Sequence, residues 1–113
     1  MTDYLLYIDG EFCEAFDGAR FDSINPADGK AWATAPAATE VDVDRAVLAA
    51  HRALTHGDWA EMSATNRGLL LSKLADRVAD WATHLGEVET MDTGKLAVET
   101  RGQSAYVADY YRY

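Results

Sequence analysis

Cys13 is the one cysteine of this chain and the first side chain to weigh as a nucleophile. A reactive cysteine needs its thiolate favoured by a helix N-terminus, a nearby cation or a paired histidine. Cys13 falls instead in a strand-like run between Phe12 and Glu14, where an adjacent acid disfavours a thiolate. It reads as structural or merely exposed. His51 and His56 are five residues apart and do not share a helix face, so the i, i+4 pairing of helical metal ligands is missing. With His84 they read as solvated helix-surface histidines. Glu87, Glu89 and Asp92 stand at i, i+2 and i+5, the ordinary pattern of a solvated helix end. Asp92 with backbone carbonyls could still serve a hard cation, which takes oxygen ligands. Thr93-Gly94-Lys95 resembles the end of a phosphate loop, but the earlier glycine and the strand-to-helix context are absent, and a helix C-cap explains it better. Neither Gly-x-Gly-x-x-Gly nor Gly-x-x-x-x-Gly-Lys-Ser/Thr occurs. Tyr106, Tyr110, Tyr111 and Tyr113 could stack bases, yet core or interface packing suits an acidic chain better. No residue is assigned to catalysis or to cofactor binding.

The elements that must position these residues begin with β structure over residues 4 to 35. Tyr4 to Ile8 and Glu11 to Phe16 flank Asp9-Gly10, and Asp-Gly between apolar runs predicts a hairpin with positive φ at both central residues. Arg20 to Ile24 alternates weakly, residues 25 to 29 turn, Lys30 to Ala35 returns, and Pro36 ends the run. The result is a two-hairpin layer with too little apolar surface to stand alone. Residues 39 to 113 read as helical. Thr39-Glu40-Val41-Asp42 has the form of a capping box. Val43, Ala46, Val47, Ala50 and Leu54 then predict one amphipathic face up to Gly57, with Asp58-Trp59 in the connection.

Ser63 is the expected N-cap of the next helix. Leu71, Leu74, Val78, Trp81 and Leu85 form its apolar stripe. The pattern fits either one helix to Met91 or two broken near Trp81. Gly94 is the expected stop. Residues 97 to 113 read as a last helix with Ala105, Ala108 and Tyr111 inward. Tyr113 falls inside that pattern without a cap, so the expectation is a chain cut short.

A chain of 113 residues holds one modest core. Its 49% hydrophobic and 26% charged residues exclude wholesale disorder. A net charge of −9 argues against a nucleic-acid or anionic-membrane surface. A single cysteine excludes an internal disulfide. The opening residues lack a signal-peptide pattern, and no apolar run suffices to cross a bilayer, so the cytoplasm is the expected location.

Several blocks, in order along nearly the whole chain, resemble the N-terminal portion of the NAD(P)-dependent aldehyde dehydrogenase superfamily. They are Tyr7-Ile8-Asp9-Gly10-Glu11, residues 21 to 29 (Phe21 to Gly29), Asp42 to Ala50, Arg67 with Leu74-Ala75-Asp76, Glu89 to Lys95 and Tyr110-Tyr111-Arg112-Tyr113. Among subgroups the chain looks nearest to betaine-aldehyde-type and similar bacterial enzymes. It departs from many members at Leu96, where they carry proline.

The resemblance implies an α/β family fold, of which this chain supplies β-hairpins and three to four helices that pack on the cofactor-binding domain. It implies an oxidoreductase that converts an aldehyde to a carboxylic acid with NAD or NADP, homo-oligomeric at full length. In such enzymes a cysteine thiolate attacks the aldehyde, hydride passes to the nicotinamide, and a glutamate activates water against the thioester. Those groups and the cofactor loop match nothing in residues 1 to 113. The resemblance does carry a monovalent-cation site, for K⁺ or Na⁺, onto Ser23, Ile24 and Asp92. The alternatives are a stand-alone, non-catalytic binding module and an inactive remnant.

Overall fold

The computed structural model describes residues 1–113. The strands are β1 (Thr2–Asp3), β2 (Leu6–Ile8), β3 (Glu11–Cys13), β4 (Arg20–Asn25) and β5 (Lys30–Pro36). The helices are α1 (Glu40–Thr55), α2 (Asp58–Glu61), α3 (Ala64–Asp80), α4 (Ala82–Thr93) and α5 (Ala97–Arg112). Two compact units result. The first joins Met1–Ile24 to Lys30–Glu61, and the second joins Asn25–Gly29 to Met62–Tyr113.

In the first unit β2 and β3 pair antiparallel, with Leu6 opposite Cys13 and Ile8 opposite Glu11. Asp9 and Gly10 sit at φ 57° and 85°, the doubly left-handed turn that Asp-Gly predicts. The second sheet has the order β1-β5-β4, and β1 runs parallel to β5. That pairing was not foreseen: a two-residue strand joined to a partner thirty residues away carries no local signal. Arg20 explains how so short a strand is held. Its guanidinium donates to the Tyr4 carbonyl at 2.7 Å, to the Thr34 hydroxyl at 2.9 Å and to Glu14 at 2.6 Å. The Thr34 hydroxyl in turn donates to Asp3 at 2.7 Å. Three segments therefore close around one planar fork of donors.

Helix α1 differs from expectation in the face it buries. Val43, Val47 and Leu54 of the expected stripe are exposed, the last two by 61% and 64%. The buried positions are Asp42 and Ala49. Alanines allow the helix backbone to approach the hairpin closely, and the bulkier valine stripe finds no partner within the unit. The helix ends at Thr55 with His56 as its C-cap, one residue before the expected Gly57. The Asp58-Trp59 connection is itself a helical turn, closed by Ala60 and Glu61 N–H groups on the Gly57 carbonyl.

In the second unit Ser63 caps α3, its hydroxyl accepting from the Asn66 N–H at 3.2 Å. The helix breaks at Trp81, which separates α3 from α4, so the long pattern is two helices. Small residues make the seam between α4 and α5. A Cβ on Gly86 would lie 2.8 Å from the Arg101 backbone, far inside contact distance. Thr90 and Thr100 share a hydroxyl hydrogen bond of 2.8 Å. The buried face of α5 is Thr100, Ser104 and Ala108, at strict i, i+4, i+8 spacing. Of the residues expected inward only Ala108 is buried; Ala105 and Tyr111 are exposed. The aromatic and leucine side chains of α3 to α5 lie largely outside this seam, as with Trp81 at 58% exposure. Arg101 pairs with Glu87 at 3.2 Å and Arg112 with Asp76 at 2.9 Å, tying α5 to α4 and to α3.

Candidate functional site

Ser23 and Ile24 lie on β4 in the first unit. Alternation along the strand leaves Ser23 half-buried and Ile24 exposed. The Ser23 hydroxyl accepts a hydrogen bond of 2.8 Å from the indole N–H of Trp32 on β5. Trp32 in turn meets the Tyr4 ring edge-on, with centroids 6.1 Å apart. The serine is thus tied to an aromatic neighbour.

Asp92 lies in the second unit, exposed in the last turn of α4. Gly94 follows as the C-cap, at φ 75° with its N–H on the Thr90 carbonyl at 2.9 Å. The glycine is required twice over. Its backbone is left-handed, and a Cβ there would stand 2.7 Å from Cγ of Pro26. Pro26 belongs to the same unit, in the turn of residues 25 to 29, where the Asn25 carbonyl receives the Gly29 N–H at 2.8 Å. The stretch from Glu89 to Lys95 and this turn therefore pack on each other. The last turn of α4 carries no basic residue, so a carboxylate there adds to the negative end of the helix dipole. Lys95, just beyond the cap, is paired with Glu89.

The other residues with chemical potential are not assembled into a site. Cys13 is half-buried at the end of β3. His56 Nδ1 meets the Thr55 hydroxyl at 2.6 Å, and His84 lies edge-on to Trp81. No group of three or more His, Cys, Asp or Glu side chains is arranged to hold a metal ion. A groove of about 350 Å³ runs between residues 7 to 10 and the alanines of α1, but its one charged residue, Asp9, is paired with Arg52 at 2.9 Å. No helix is long and apolar enough to cross a membrane.

Two residues matter more than the sequence suggested. One is Arg20, for which a lone arginine in a weakly alternating run gave no signal. The other is Asp42, whose place in the capping motif was legible. Its carboxylate accepts the Thr39 N–H and the Thr39 hydroxyl, both at 2.9 Å. What the sequence concealed is its third partner, the Phe16 N–H, 3.0 Å away and 26 residues earlier. The Phe16 and Thr39 N–H groups hold this carboxyl below its ordinary range, against the opposing effect of burial.

Residues 12–113 match the model of the aldehyde dehydrogenase family. A (Z)-2-((N-methylformamido)methylene)-5-hydroxybutyrolactone dehydrogenase of Acinetobacter baylyi is 50% identical over 113 residues, which is 100% of this chain and 23% of that protein. Among solved structures, an NAD-dependent aldehyde dehydrogenase of Sinorhizobium meliloti superposes with a TM-score of 0.95 at 32% identity, over 99% of this chain and 22% of that one. A betaine aldehyde dehydrogenase of Staphylococcus aureus, solved as a point variant with NAD⁺, gives 0.93 at 32% identity, over 100% and 23%. The chain spans under a quarter of the length of these relatives. Its α/β arrangement of short strands followed by helices is theirs, and by sequence and by fold alike the chain belongs to the aldehyde dehydrogenase family.

Proposed function

We propose that this chain is the N-terminal segment of an oxidoreductase that converts an aldehyde to a carboxylic acid with NAD⁺ or NADP⁺. The observation that carries the reading is the end-to-end match, 50% identical, to a dehydrogenase of which it represents 23%. The chain's own residues do not fit a dinucleotide site, since no glycine-rich strand-to-helix turn precedes any of its helices. Its part in the reaction is architectural: it supplies strands and helices on which a cofactor-binding domain can rest. The exposed valine and leucine faces of α1 and α3 favour this over a stand-alone module, because burying them requires further polypeptide.

The test is a chimera in which residues 1–113 replace the equivalent part of the Acinetobacter baylyi relative. The expected result is aldehyde-dependent formation of NADH or NADPH by the chimera and none by residues 1–113 alone. A folded chimera without turnover, or turnover by the short chain, would refute the proposal.

Within this reading Ser23, Ile24 and Asp92 contribute oxygens to a monovalent-cation site. The family resemblance carries the assignment, and one feature of the second unit supports it. Asp92 stands at a helix C-terminus, where a cation is favoured by the dipole. Hard oxygen donors suit K⁺ or Na⁺, and the cation would serve structure rather than chemistry. K⁺ or Na⁺ at constant ionic strength should raise the thermal midpoint of the chimera, and Asp92→Ala should lessen that rise. An identical salt response in the variant rejects the site.

A further inference from the structure

We propose that Asp42 is an acid-releasable pin that holds the loop after β3 against the first turn of α1. The inference rests on geometry within the first unit and is independent of the enzymatic proposal. Asp42 is 1% exposed, the most deeply buried charged side chain in the molecule. Its two oxygens face donors only: the Phe16 N–H at 3.0 and 3.1 Å, the Thr39 N–H and the Thr39 hydroxyl. Phe16 belongs to the loop and Thr39 to the helix start, so one carboxylate joins segments with no strand pairing between them. The loop also buries Ala15 and its Ala19 carbonyl accepts the Ala37 N–H at 2.8 Å, but the Phe16 side chain is 69% exposed and adds little at the pinned residue itself.

The charged groups around the pin do not replace it. Arg45, one turn along α1, lies 3.6 Å from the carboxylate and supplements it. In the loop, Glu14 is committed to Arg20, and Asp17 accepts the Ala19 N–H at 2.9 Å. On the β2–β3 hairpin, Asp9 is paired with Arg52, and Tyr7 lines the neighbouring groove. A proton on Asp42 would place a donor among donors. Only the Thr39 hydroxyl can turn to accept it, so a backbone N–H loses its partner.

The sign of the pH dependence follows from the donors. They stabilise the charged form, so the folded carboxyl titrates below its ordinary value of 3.8. The pin is fully engaged above that value and is released as pH falls through the lower, folded one.

Amide exchange and amide shifts in the 113-residue chain test this. At neutral pH, Asp42→Asn should speed exchange at Phe16 and at the first turn of α1 together, by about tenfold or more. Asp17→Asn, which alters the same loop at an exposed carboxylate, should leave α1 unchanged. In the unmodified chain the Phe16 amide shift should follow a single proton with a midpoint below 3.8. Unchanged exchange in Asp42→Asn, equal loosening by Asp17→Asn, or a Phe16 midpoint at or above the ordinary value would each overturn the proposal. The titration of the unmodified chain decides the matter even where the variant does not fold.

Discussion

The two units of this chain are held by opposite means. In the first, the long-range ties are charged groups bonded to backbone: Arg20 on the Tyr4 carbonyl, Asp42 on the Phe16 N–H. In the second, the buried ties are mainly steric, with Gly86 against the Arg101 backbone, Gly94 against Pro26, and the Thr100, Ser104 and Ala108 seam of α5, while its ion pairs, Arg101–Glu87 and Arg112–Asp76, lie exposed. The difference follows from the elements. Short strands and turns leave backbone polar groups that only side chains can satisfy. Helices satisfy their own backbone and can approach closely where side chains are small. The first unit should therefore answer to charge and the second to volume.

The largest effect should come from adding volume to the second unit. Gly86→Val forces α4 from α5 and should cost about 3 kcal/mol, as overpacking of a tight site does. Exchange at α4 and α5 amides should rise while the first unit stays protected. Equal loosening of both units would break the contrast. Gly94→Ala comes next. The left-handed backbone costs about 1–2 kcal/mol for a non-glycine residue, and the contact with Pro26 adds to it. A denaturation midpoint unchanged by this variant would mean that the cap can relax. Thr100→Val keeps the volume and removes one hydroxyl from the Thr90 pair, a change of about 1 kcal/mol. Were it to exceed Gly86→Val, polar bonding and not volume would govern the second unit. Smallest of all, Arg52→Ala removes an exposed pair with Asp9 and should shift stability by about 0.5 kcal/mol or less, fading with added salt.

What the sequence disclosed divides along physical lines. Signals that act over a few residues were legible. Asp9-Gly10 gave its hairpin, Ser63 its cap and Gly94 its left-handed stop, because each depends on backbone conformation or on donors one turn away. The blocks of residues around Ile8-Asp9-Gly10 and Thr93-Gly94-Lys95 carried the family. Which helix face lies inward was not legible. Hydrophobic periodicity marks the stripe that seeks burial, and much of it stays exposed, as with Val47 and Leu54 of α1 and, less fully, Leu71 and Leu74 of α3. The faces that are buried here carry alanine, threonine and serine, whose small size rather than apolarity selects them. Pairing across distance was equally hidden. Nothing near Arg20 or Phe16 in sequence announces Tyr4 or Asp42. For the cation site, Ser23, Ile24 and Asp92 follow from the resemblance, while their spacing carries little information.

The seam of small residues has a consequence for how this stretch of polypeptide tolerates change. In most domains, leucine and valine are the positions that resist substitution. Here the intolerant positions should be Ala49, Ala75, Ala108 and Gly86, where one added methyl group meets a neighbouring backbone or a filled gap. Val47 and Leu54 should accept lysine with little loss of folding. A saturation screen scored on folding would record an inverted profile, with the smallest side chains the most constrained. The same screen scored in the chimera should bring the valines and leucines back under constraint, and the positions that change between the two screens would trace the surface that the remainder of the chimera covers.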